Sequence, residues 1–366
     1  MKITVTRETL LPALQAVSNV VERRQSTPIL ANVLLTVSDN SLNLVATDME
    51  VEVAINCTVQ SAREGATTFP AKKLFDICRS LPVDAVLQLE VSGDKGRVQS
   101  GRSRFTLGTL PAGEYPAVGN FPANSEFSVP AAVLLELISA TQFAMAQQDV
   151  RYYLNGLLVE INSTGLRAVA TDGHRLALSE RSLEIALASP SQLIVPRKGV
   201  QEIQRMLGHV EGDVVVAVSD NHVKISTVGQ AITTKLIDGK FPDYQRVMPK
   251  KGERSVTADR EALKAAFGRT SILSNEKFRG VRLFLSNGLL RAATNNPEQE
   301  EAEEDVAVDY SGDELEIGFN VSYLLDVMGV LRSKFVKIEL SDANSSAVIF
   351  DPEDERSRYV IMPMRL

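Results

Sequence analysis

The chain has 366 residues, of which 44% are apolar and 23% charged, with a net charge of −7. This balance excludes a disordered or fibrous chain, and no run approaches the roughly 18 consecutive apolar residues of a membrane span. The negative charge also excludes one way of holding nucleic acid, because proteins that keep DNA by bulk attraction cluster Lys and Arg and are basic overall.

Met1-Lys2-Ile3-Thr4-Val5 alternates as a strand does and lacks the apolar core of a signal peptide. A helix follows, with Leu10, Leu14, Val17 and Val21 on one face. Leu34–Val37, a polar turn at Ser38–Ser41 and Leu42–Asp48 then read as a hairpin ending in Ala46-Thr47-Asp48. Cys57 and Cys78 stand in no metal or redox spacing and are expected to be reduced and buried. Pro70–Leu81, which contains Cys78, carries the i, i+3, i+4, i+7 pattern of a helix opened by proline. The same order returns with a helix through Leu134, Leu137, Ile138 and Thr141, a hairpin over Leu157–Ile161 and Leu166–Asp172, and a helix from Pro196 to Leu207. It returns once more through Leu263, Ala266, Phe267 and Thr270, a hairpin around Asn287-Gly288 ending at Thr294-Asn295, and a helix from Asn320 to Leu331.

Thr47, Thr171 and Thr294 are 124 and 123 residues apart, and Pro70, Pro196 and Asn320 are 126 and 124 apart. Two landmarks at one interval define three like units. Each reads strand, helix, strands, helix, strands, an α+β motif doubled within the unit. Pro, Gly and polar residues near Phe121–Ser125 and Lys250–Arg254 place the expected domains at 1–122, 123–249 and 250–366. Two helices per unit, each about 10 Å wide, would line about 60 Å in one chain, closing on a hole of only ~9 Å. Two chains give a lining of about 120 Å and a hole near 28 Å by the same estimate, room for a duplex of roughly 20 Å. Geometry therefore favours a dimer if DNA passes through, and does not by itself show that DNA does.

The strings Gln148–Gly156, Ala170-Thr171-Asp172-Gly173-His174-Arg175-Leu176, Asp238–Tyr244, Ile272–Gly280, Asn295–Glu300 and the terminal Met362–Leu366 resemble those of bacterial sliding clamps, in the same order and over the whole chain. The resemblance implies three repeated clamp domains, each with two inner helices and outer antiparallel sheets, forming half of a closed dimeric ring. Such a ring is kept on double-stranded DNA by topology, independently of sequence, so an acidic chain need not bind tightly. Its subunit joint would set Phe105 and Leu107 against Ile272 and Leu273 of the partner; from the residues alone these four read as ordinary core.

The helix Pro70–Leu81 carries Lys72, Lys73 and Arg79 against Asp76, and Pro196–Leu207 carries Arg197, Lys198 and Arg205 against Glu202. Most such charged faces are merely solvated, but the resemblance implies Arg24, Lys72, Gln148, Tyr152 and Tyr153 as DNA-contacting positions, and Lys198 is taken with them. It also implies a groove for short partner peptides with apolar anchors, formed by Leu154, Thr171, Gly173, His174, Arg175, Leu176, Pro242, Arg246, Val247, Val360 and Met362. A neighbouring subsite would use Arg151, Tyr153, Asn320, Tyr323, Ser346, Pro363, Met364 and Arg365. Asn344 stands where that pattern has a more apolar wall residue. The partners implied are the α subunit of DNA polymerase III, the clamp loader, and other polymerases and repair proteins.

A plain hairpin turn at Thr171–Leu176 is the bland alternative, since the first unit has Thr47-Asp48-Met49-Glu50 there. Only the second carries Gly-His-Arg, which points to a task of its own. The acidic run from Glu298 to Asp305 has no His or Cys partner and reads as a solvated edge, with no metal expected. No phosphate loop, dinucleotide fingerprint, nucleophile elbow or metal-binding helix is present, and nothing around the three histidines, His174, His209 and His222, proposes a Ser/His/Asp site. An enzyme is not expected, nor a cofactor; the rival is a peptide-binding scaffold without DNA encirclement.

Overall fold

The computed structural model describes residues 1–21, 27–116, 122–187, 189–249 and 252–365. Arg24, and Phe121 and Lys250 at the expected boundaries, lie outside the described residues. Among those described, the helical periodicities become α1 (Arg7–Ser18), α2 (Ala71–Ser80), α3 (Ala131–Thr141), α4 (Arg197–Leu207), α5 (Arg260–Thr270) and α6 (Val321–Val330). Three are opened by a side-chain cap: Thr6, Asp259 and Asn320 accept hydrogen bonds from the amides of Thr9, Ala262 and Ser322. These bonds satisfy donors that the first helical turn leaves unpaired. The apolar stripes face inward: Leu10, Leu14 and Val17 of α1, Leu134, Leu137 and Ile138 of α3, and Leu263, Ala266 and Phe267 of α5 are all buried. Polar Ser18 and Asn19 close α1 early, so Val21 lies beyond the helix rather than on its face.

The described chain forms two compact units, Met1–Ala132 with Lys198–Leu236, and Val133–Arg197 with Ile237–Leu366. The first holds two antiparallel sheets. One runs Ser61–Arg63, Lys2–Thr6, Val86–Ser92, Lys95–Ser100, Ser103–Gly108; the other runs Ser125–Pro130, Asp213–Val218, His222–Thr227, Gln230–Lys235, Val51–Thr58, Ser41–Thr47, Asn32–Ser38, Gly65–Pro70. The second unit is built on one twelve-stranded sheet in the order Ser191–Pro196, Gly156–Asn162, Gly165–Thr171, Arg175–Ser182, Asp354–Ile361, Ala347–Asp351, Phe335–Leu340, Arg254–Asp259, Glu301–Asp309, Leu289–Asn295, Gly280–Ser286, Leu315–Asn320.

All three repeated hairpins form, with Leu34 opposite Val45, Leu158 opposite Val169 and Leu283 opposite Ala292. The sheets then run on from one sequence repeat into the next. Gln230–Lys235 of the second repeat pairs with Val51–Thr58 of the first, and Asp354–Ile361 of the third pairs with Arg175–Ser182 of the second. Backbone hydrogen bonds left open at the edge of one repeat are thus satisfied by its neighbour, which is why the compact units follow the sheets and not the repeats.

The acidic run is solvated as expected, Glu298, Glu300, Glu301, Glu303 and Asp305 being exposed, but its strand lies inside the sheet and not at an edge. Glu301–Asp309 is a nine-residue strand, and three of its carboxylates are paired, Glu304 with Arg269 at 2.5 Å, and Asp305 and Glu303 with Arg291 at 2.7 and 3.9 Å. Among the cysteines, Cys78 is buried but Cys57 only half so; burial pushes both thiols up to about 11, which leaves them protonated and unreactive near neutrality.

Candidate functional site

The turn after Gly165–Thr171 is built from its own side chains. Thr171 Oγ1 donates to the Arg175 carbonyl and accepts from the Gly173 amide, while Asp172 Oδ1 accepts from the amides of His174 and Arg175. The first repeat makes the same four bonds with Thr47 and Asp48, to Val51 O and the amides of Met49, Glu50 and Val51. The bland reading therefore holds for the backbone. The difference lies in what the turn presents: exposed Met49, at φ +79, stands where the second repeat has Gly173, at φ +90.

Gly173 has a reason of its own. A Cβ there would lie 2.8 Å from an Arg151 guanidinium nitrogen, so the guanidinium lies against the bare backbone. Arg151 is held in place by Asp149, at 3.0 and 2.9 Å, and donates to the Asp172 carbonyl. The loop carrying it is latched across its base: the Asp149 amide donates to Asn155 Oδ1 and Asn155 Nδ2 to the Asp149 carbonyl, each at 2.9 Å. The single 3₁₀ turn Tyr152–Leu154 closes the loop and turns Leu154 into the core.

Leu154, Leu176 and Val360 meet in one buried cluster with Phe241 and Tyr244, and Tyr153 packs against it. Tyr244 is anchored by donating to Glu160 at 2.6 Å. It lies on the 3₁₀ turn Tyr244–Arg246, beside which Pro242, Arg246 and Val247 are exposed; Arg246 pairs with Asp243. The C-terminal tail is tied at two points, the Met362 amide donating to the His174 carbonyl and the Met364 amide to Gly318, each at 2.9 Å. Exposed Met362 and His174 therefore lie at one lip, above an apolar floor. Pro363 is half-buried and Arg365 exposed along the same tail. Ser346 is half-buried before Ala347–Asp351, while Asn344 is exposed in a turn around Asp342.

Arg175 behaves unlike the other arginines of the pocket. Its Nε donates to Asp172 at 3.0 Å, one terminal nitrogen to Asp326 at 2.5 Å and the other to the Phe143 carbonyl at 2.8 Å. The rings of Phe143 and Tyr323 lie 5.2 and 4.3 Å from its centre. Asn320, expected in the same subsite, caps α6 and donates to the Phe278 carbonyl. Asp172, Phe143 and Asp326 were not singled out from sequence. The repeated Thr-Asp pair could have flagged Asp172, whereas nothing local marks the other two.

Of the residues expected to face DNA, Lys72 is exposed on α2, Gln148 is exposed at φ +55, and Tyr152 is 56% exposed with its ring over Gly239. Tyr153, edge-on to Tyr152, is largely given to the pocket cluster. Lys198 is committed internally, paired with the Asp48 carboxylate and donating to the Val20 carbonyl. Of the residues expected at a subunit joint, Phe105 and Leu107 are half-buried on Ser103–Gly108, a strand at the edge of its sheet. Leu273 is half-buried beside Ile272, which is 75% exposed and so no core residue.

Family models for the N-terminal, central and C-terminal domains of the DNA polymerase III beta subunit match residues 1–119, 128–243 and 245–365. The chain is 53% identical to the beta sliding clamp of Pseudomonas aeruginosa and 50% identical to that of Escherichia coli strain K12, each alignment covering all of both chains. The crystal structure of the DNA polymerase III subunit beta from Pseudomonas aeruginosa superposes with a TM-score of 0.96 at 52% identity, again over the whole of both chains. With all three domains matched in order from end to end, the chain belongs to the DNA polymerase III beta subunit family, the bacterial sliding clamps.

Proposed function

We propose that two copies of this chain close head-to-tail around duplex DNA and slide along it irrespective of sequence, in the bacterial cytoplasm. As a member of the clamp family the chain is a processivity factor and not an enzyme. The observation that carries the reading is the end-to-end match of three clamp domains at about half identity. Topological retention also accounts for the charge of −7: a ring needs no net attraction to stay on DNA, and strong attraction would slow its sliding. The working division is three domains, 1–122, 123–249 and 250–366.

In this reading the pocket around Leu154, Leu176, Val360, His174 and Met362 receives apolar anchors of short peptides from the polymerase α subunit, the clamp loader and other polymerases and repair proteins. Its apolar floor, adaptable methionine and polar lip suit an extended segment. The joint would set the edge strand Ser103–Gly108 against the third domain of the partner, Phe105 and Leu107 meeting Ile272 and Leu273. Charge supports that pairing, since Arg102 and Arg104 are exposed at one side and Glu301, Glu303 and Asp305 at the other. Lys72, Gln148, Tyr152 and Arg24 are the positions proposed to touch phosphates and bases. Lys198, its ammonium already matched by Asp48, is assigned a smaller share.

The test is retention on DNA after placement by the cognate loader with ATP, comparing nicked circles with the same DNA linearised. The ring predicts long retention on circles and rapid loss from free ends. Equal retention on both would mean affinity binding, and retention on neither, with an active loader, would leave a peptide-binding scaffold.

A further inference from the structure

We infer that Asp326 and Phe143 are positioning residues of the partner-peptide pocket, acting through Arg175, and that Arg175 itself is a post inside the pocket wall and not a ligand for the peptide. The inference rests on the pocket reading above and deepens it.

A guanidinium offers five N–H donors in a plane and two flat faces. In Arg175 each of the three nitrogens donates once, to Asp172, Asp326 and the Phe143 carbonyl, and the rings of Phe143 and Tyr323 stand against the group. Its side chain is 12% exposed, so little of it is left to meet an incoming chain. What it does instead is join three pieces. Asp172 belongs to the turn bearing Gly173 and His174, Phe143 to the 3₁₀ turn Gln142–Ala144, and Tyr323 and Asp326 to consecutive turns of α6. Residues 323 and 326 lie three apart, so the ring and the carboxylate address the guanidinium from one helical face. The wall of one subsite, Tyr323, and the lip of the other, His174, are thereby referred to a single fixed group.

The corresponding positions of the earlier repeats lack this set. Val51 stands at the place of Arg175, Gly199 at that of Tyr323 and Glu202 at that of Asp326. The first repeat's turn, otherwise bonded in the same way, has its Asp48 carboxylate met by Lys198 of α4 and no guanidinium between rings, so the turn folds without an arginine at this place. An exposed ion pair between Arg175 and Asp326 would count for little alone; here the cation is enclosed and stacked, and losing one carboxylate frees it to rotate and release Tyr323.

The experiment uses the full-length dimer and a fluorescent synthetic hexapeptide with leucine and phenylalanine anchors. Asp326→Asn should weaken binding about fivefold, the scale of a coupling through one shared group, and Asp326→Glu should recover most of it. In an Arg175→Met background, Asp326→Asn should cause no further loss. Unchanged affinity in Asp326→Asn, or an equal loss in both backgrounds, overturns the inference. A second readout does not depend on peptide. Burial raises the Tyr323 phenol above its ordinary value, Asp172 and Asp326 adding to the rise and Arg175 opposing it. With ring-labelled tyrosine, Asp326→Asn should therefore lower the Tyr323 midpoint and Arg175→Met raise it; no movement in either counts against the clamp. If the wild-type protein binds no peptide, the pocket reading falls and this inference with it. Wild-type binding with an indifferent Asp326→Asn defeats the inference alone.

Discussion

Two arginines of the pocket illustrate how a charge can be spent on geometry. Arg175 is enclosed, whereas Arg151 is half-exposed and lies over Gly173 because Asp149 pulls it there through two hydrogen bonds. Those bonds hold the Asp149 carboxyl down at about 2, against an ordinary value near 3.8. A carboxyl whose folded value is depressed stabilises the fold above its unfolded value, and the contribution is lost as pH falls through the folded one. The Asp149–Arg151 pair should therefore be intact at pH 4 and disappear only toward pH 2. Carbon-detected titration at pH 3 should find Asp149 still largely ionised, where an unperturbed aspartate is largely protonated; a midpoint near 4 would show that Arg151 is not fixed by it.

Strand addition is the event that matters among the elements. Val51–Thr58 pairs with Ser41–Thr47 on one side and with Gln230–Lys235 of the next repeat on the other. Cutting the chain at the first repeat would leave that second side bare, with unpaired backbone groups beside Val51 and Val53. A fragment of residues 1–122 is accordingly expected to self-associate, whereas the whole chain does not grow beyond its dimer. Sedimentation of the fragment as a well-behaved monomer would mean that the shared sheet contributes little. The repeats, hairpins and helices behind this were legible in the sequence because their signals are local: periodicity within a helix, alternation within a strand, an opening Pro or Asn. The strand Glu301–Asp309 was not, because its acidic residues gain partners from Arg269 and Arg291, and the more distant of these, Arg269, lies 35 residues from Glu304. The pocket was legible only through family resemblance. Resemblance named its floor, Leu154, Leu176 and Val360, and Arg175 with them, but nothing local could join Arg175 to Asp326, 151 residues away.

At the scale of the whole molecule, the exposed apolar side chains that bear on assembly are those of one short turn. Ile272 is 75% exposed on the short turn Ser271–Leu273, and Phe278 close by is 55% exposed. Isoleucine does not normally stand this free where it serves only to fill a core, and the half-buried Phe105 and Leu107 on an open sheet edge offer a matching surface. A head-to-tail dimer closes through two copies of one joint, so any change there is felt twice. Truncating Ile272 and Leu273 to alanine removes about 2 kcal/mol of burial per side chain per joint. Over both joints that amounts to about 8 kcal/mol, a dimer weaker by nearly six orders of magnitude. The expected species at micromolar concentration is a folded monomer, with an unchanged far-ultraviolet spectrum and peptide binding intact, since the pocket lies within one chain. That monomer should be lost from nicked circles as fast as from linear DNA. An undiminished dimer would move the joint elsewhere, and a monomer still retained on circles would separate retention from ring closure.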